Sequence, residues 1–64
     1  MNARLMLSPE KVASRIGWEV PETVRLMKSG ALGPVYDVGP EPGQGDEWLR
    51  VRASSVETWL GDTP

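Results

Sequence analysis

The sequence predicts a small α+β domain in the order helix, helix, β-hairpin, helix. Three observations point there. Two apolar stripes at helical spacing flank a short turn in "SPEKVASRIGWEVPETVRLMKSGAL", residues 8–32. Two β-type segments, "GPVYDV" and "WLRVR", flank a loop of glycine, proline and acids. A third helical stripe, "SSVETWL", follows directly. Period decides helix against strand here, and turn formers set the breaks between them.

The first helix is expected over residues 9–16. Ser8 can cap it, Pro9 suits its first position, and Glu10 faces the positive end of the helix dipole. Val12 and Ile16 share a face, and Gly17 fits a left-handed stop. The second helix has Pro21 in its first turn and a stripe of Val20, Val24 and Met27, bordered by Leu26. Arg25 and Lys28 lie on its flank and Gly30 ends it. Two helices joined so tightly form a helix-turn-helix hairpin.

Val35, Tyr36 and Val38 favour a strand. In "WLRVR", Leu49 and Val51 share one face, and Trp48, Arg50 and Arg52 the other. The loop between these segments, "GPEPGQGDE", holds no apolar side chain apart from its prolines and is expected to be a mobile hairpin tip. In the closing helix Ser54 and Glu57 match a capping box, and Val56, Trp59 and Leu60 fall on one face. Residues 1–64 form one domain, with 1–6 and 61–64 read as tails.

Composition narrows the function. The chain has 64 residues, no cysteine and no histidine. That rules out disulfides and thiolate metal sites and removes the commonest general base. A core this small rarely builds a cleft for a carboxylate pair, so neither an enzyme nor a metal or cofactor site is expected. No apolar run reaches the roughly 18 residues of a membrane span. Nor does "MNARLMLSPEK" carry a signal-peptide core. A cytoplasmic protein is the expectation.

The net charge is −2 but unevenly spread. Residues 1–36 carry Arg4, Lys11, Arg15, Arg25 and Lys28 against Glu10, Glu19 and Glu22, a net of +2. Residues 37–64 carry Arg50 and Arg52 against Asp37, Glu41, Asp46, Glu47, Glu57 and Asp62, a net of −4. Local charge on one face steers a partner, whereas global charge mainly sets solubility.

"LSPEKVASRIG", "VRLMKSGAL", the paired strand segments and "RVRASSVETWL" together resemble the small excisionase-type helix-turn-helix proteins. These are related to the DNA-binding domain of MerR regulators. The likeness spans residues 7–60. It implies a winged helix-turn-helix, with the second helix reading the major groove of duplex DNA and the hairpin as the wing. It also implies a recombination directionality factor that binds repeated sites head to tail, bends DNA and assists a phage-type integrase in excision. The chain departs from the pattern in three places. Glu19 stands where Ser or Thr commonly caps the second helix, and Glu22 where a small polar residue is usual. The wing tip is longer than usual and acidic at Glu41, Asp46 and Glu47, so it either lies away from phosphates or faces a protein.

Each candidate residue carries a plain reading beside the functional one. Arg25 and Lys28 are either a solvated helix flank or, as the resemblance implies, groove contacts. There Arg would reach guanine N7 and O6, and Lys a phosphate. Glu22 and Thr23 sit where base edges come close. Glu22 either accepts from cytosine N4 or simply favours the helix dipole. Arg50 and Arg52 are wing-to-backbone contacts or an ordinary strand face. Lys11 and Arg15 are weaker backbone candidates on the first helix. Trp18 and Trp59 read as core. Two alternatives stay open beside the excisionase. One is a MerR-like regulator, although such regulators normally add a dimerising helix, and this sequence stops soon after Leu60. The other is a protein-interaction module that has lost DNA.

Overall fold

In the computed structural model, residues 5–62 are described. They form three helices and a three-stranded antiparallel sheet. Strand β1 is Met6–Leu7, helix α1 Pro9–Ile16 and helix α2 Val20–Lys28. Strand β2 is Tyr36–Asp37, strand β3 Leu49–Arg52 and helix α3 Ala53–Asp62.

The start of α1 follows from its sequence. The Ser8 hydroxyl accepts from the Lys11 amide at 3.3 Å, and Pro9 opens the first turn. Gly17 ends the helix in the left-handed region at φ 78°, and the amides of Gly17 and Trp18 both donate to the Ala13 carbonyl. Residues 17–19 then turn the chain directly into α2. Glu19 precedes α2 without a side-chain capping bond, as expected of a glutamate at that position. At the far end the Ser29 hydroxyl donates to the Leu26 carbonyl and accepts from the Ala31 amide. Gly30 follows at φ 88°.

The sheet is ordered β1-β3-β2. Tyr36 pairs with Arg50 and Asp37 with Leu49. On the other side of β3, Met6 pairs with Arg52 and Leu7 with Val51. The period of two therefore puts Leu7, Leu49 and Val51 on the core side and Met6, Tyr36, Arg50 and Arg52 on the outer side. Val12, Met27, Leu32, Val51 and Val56 form the fully buried core. Leu7, Ile16, Leu26, Val35, Leu49, Trp59 and Leu60 pack around it.

Several expectations are corrected. The tails are shorter than expected. Met6 belongs to β1, and Gly61 and Asp62 belong to α3, while residues 1–4 and 63–64 lie outside the described residues. The capping box fails because α3 starts at Ala53, which puts Ser54 inside the helix. The Ala53 amide instead donates to the Leu5 carbonyl at 2.8 Å, and the Glu57 carboxylate goes to Arg15. Val20 is 40% exposed, so the apolar stripe of α2 is buried only from Val24 onward. Trp18 does not plug the core. It is 43% exposed and meets Trp59 edge-on, with ring centroids 5.7 Å apart.

Candidate nucleic-acid interface

The exposed face of α2 carries Pro21, Glu22, Arg25 and Lys28. Val24 and Met27, one helical face round, hold α2 on the core. Arg25 and Glu22 form an exposed i,i+3 ion pair at 2.8 Å. Lys28 reaches across to the hairpin tip, where its ammonium lies 2.9 Å from the Asp46 carboxylate. Thr23 is corrected as a candidate. It is fully buried, and its hydroxyl donates to the Glu19 carbonyl at 2.9 Å. A side chain so placed closes the first turn of the helix and cannot reach a base edge.

The hairpin tip has a fixed internal bonding pattern. The Asp37 carboxylate accepts from the Gly39 and Gly43 amides, each at 2.9 Å. These bonds, Gly43 first, hold the Asp37 pKa below its usual value, because N–H donors favour the charged form. The Val38 amide donates to the Trp48 carbonyl, and Asp46–Trp48 forms a 3-10 turn. Gly39 sits so close to Trp48 that an added Cβ would lie 2.8 Å from the indole ring. Trp48 is therefore half-buried under the tip, whereas the strand alternation placed it beside the arginines on the solvent face.

Arg50 turns back onto this tip. One guanidinium nitrogen donates to the Glu47 and Leu49 carbonyls, both at 2.7 Å. Arg52 lies over the Tyr36 ring at 5.6 Å, a cation–π contact on the outer sheet face. On α1, Arg15 makes a two-pronged contact with Glu57 of α3, both distances 2.6 Å. Lys11 is exposed and makes no ion pair among the described residues.

The fold thus brings Lys28 and Arg50 onto the 46–47 segment of the tip, and Arg25 lines the same groove as Lys28 and Asp46. Arg15 goes elsewhere, to the α1–α3 contact, and Lys11 precedes it by one turn on the same helix. Sequence reading missed Asp46 as the partner of Lys28, a contact between residues far apart in the chain. It also missed Asp37 as the organiser of the tip, although "DVG" carries the signal of an Asx turn. Among the described residues there is no cluster of three or more potential metal ligands. No helix there is long and apolar enough to cross a membrane.

No protein-family model, curated protein or solved structure matches the chain.

Proposed function

We propose that this chain is a winged helix-turn-helix module that binds duplex DNA, with α2 as the recognition helix and β2–β3 as the wing. The observation that carries the reading is the solvent-facing side of α2, with Glu22, Arg25 and Lys28 presented beside the hairpin. Arg25 would read guanine, Glu22 cytosine N4, and Lys28 a phosphate. Arg50 and Arg52 would contact the backbone from the wing, with Lys11 and Arg15 as weaker backbone contacts. The ion pairs on these cations are exposed. Such pairs contribute about 1 kcal/mol or less, so a phosphate can replace the carboxylate.

The finer reading is an excisionase that binds repeated sites head to tail, bends DNA and assists an integrase. Its support is the likeness of residues 7–60 to that family. A MerR-like regulator of the same fold would prefer inverted repeats. A second class of function is a protein-interaction module. One observation favours it: Arg15, Arg25 and Lys28 each already hold a carboxylate of the same chain.

Fluorescence anisotropy with labelled duplexes, over a salt series of about 50–200 mM, tests the reading. Affinity is expected to fall steeply with salt. Arg25→Ala should cost about 1–3 kcal/mol of binding and relax the preference at one base pair. Duplex binding that survives both Arg25→Ala and Arg50→Ala intact would overturn these residue roles, whereas no salt-dependent binding to any duplex would favour the protein-interaction module.

A further inference from the structure

The hairpin tip and α2 enclose a groove lined by Val20, Pro21, Val24, Arg25, Lys28 and Asp46. Val20, Pro21 and Val24 give it an apolar lining, Arg25 and Lys28 its cations and Asp46 its acid, and the Lys28–Asp46 contact closes across it at 2.9 Å. A carboxylate oxygen at that distance from an ammonium occupies the place a phosphate oxygen takes in a charge-assisted contact. Asp46 is not on a loose end. The 3-10 turn Asp46–Trp48, the Asp37 bonds to Gly39 and Gly43, and the Arg50 bonds to Glu47 and Leu49 all hold the segment that carries it.

We infer that this groove is the seat of a DNA backbone phosphate on Lys28, beside the base-reading Arg25, and that Asp46 acts as a built-in phosphate mimic which holds the seat closed. The inference rests on the DNA-binding reading and adds to it an autoinhibitory contact. The phosphate must displace the Asp46 carboxylate from Lys28 before the wing and α2 engage the same stretch of duplex. Glu47, next in the chain, and Glu10, on the adjoining rim with Ser8 and Pro9, add to the repulsion. The acidic tip thereby lowers affinity for any single duplex, specific or not. A module held weak in this way binds well only where neighbouring copies or a partner protein add contacts.

The test compares wild type, Asp46→Asn, Lys28→Ala and the double variant on one labelled duplex, at low and at near-physiological salt. Asp46 is exposed. Asparagine keeps its size and leaves its backbone carbonyl free to accept from the Leu49 amide, so the fold is retained, which circular dichroism checks. Asp46→Asn is expected to bind about five- to tenfold tighter, the range of a freed exposed charge pair plus one lost repulsion. Lys28→Ala should cost more affinity in the Asp46→Asn background than in wild type, because only there is the ammonium fully available to phosphate. Wild type that binds DNA while Asp46→Asn binds no tighter overturns the inference and leaves the DNA reading standing. If no variant binds any duplex, the reading and the inference fall together.

Discussion

Asp37 shows how one side chain organises a loop that composition describes only as turn-forming. Its carboxylate holds two amides, Gly39 and Gly43, and its pKa is lowered accordingly. The folded value lies below the ordinary 3.8. The contribution is therefore present above the unfolded value and lost as pH falls through the folded one. The two glycine amide signals should shift together in an acid titration followed by NMR, with a midpoint below that of an ordinary aspartate. Asp37→Asn should abolish that titration. A midpoint at or above the ordinary value would show that the carboxylate does not hold the tip. The same residue limits the expectation of a mobile hairpin, because an Asx turn replaces missing apolar contacts with directed hydrogen bonds. Thr23 gives the opposite lesson. Its position in the helix suggested a base contact, but its spacing from Val24 and Met27 put it under the helix, where its hydroxyl bonds backwards to Glu19.

The helices were largely legible because their signals are local. Ser8, Pro9 and Gly17 fix both ends of α1, and the observed span matches the expected 9–16. The second helix starts at Val20 despite a poor cap, because Pro21 and the buried Val24 and Met27 outweigh one missing capping bond. Strand β1 was not legible. Two residues, Met6 and Leu7, carry no periodicity, and only their pairing with Arg52 and Val51 makes them a strand. Two glycines separate backbone effects from packing. A methyl group added at Gly17, φ 78°, would have nothing within 4 Å, while one at Gly33, φ 84°, would meet the Ser55 hydroxyl at 2.9 Å. Gly17→Ala should cost about 1–2 kcal/mol in urea denaturation, from the left-handed conformation alone. Gly33→Ala carries the same strain plus the steric clash with α3 and should cost more. Equal losses would mean that Ser55 moves aside freely.

At the scale of the whole molecule, the candidate interface was legible in its residue types and obscure in its pairings. Arg25, Lys28 and Arg50 could be singled out from the sequence. That Lys28 would meet Asp46, or Arg15 meet Glu57, depends on how the hairpin and α3 fold back, and no local pattern encodes that. Several basic groups are held beside an acid, and each such exposed pair is cheap to exchange. The proposed duplex-DNA binding stands or falls on selection from a random duplex library at near-physiological salt, with sequencing of the bound fraction. An enriched motif recurring as direct repeats at fixed spacing is expected, with binding that weakens as salt rises. No enrichment, together with no salt-dependent binding to any duplex, would contradict it.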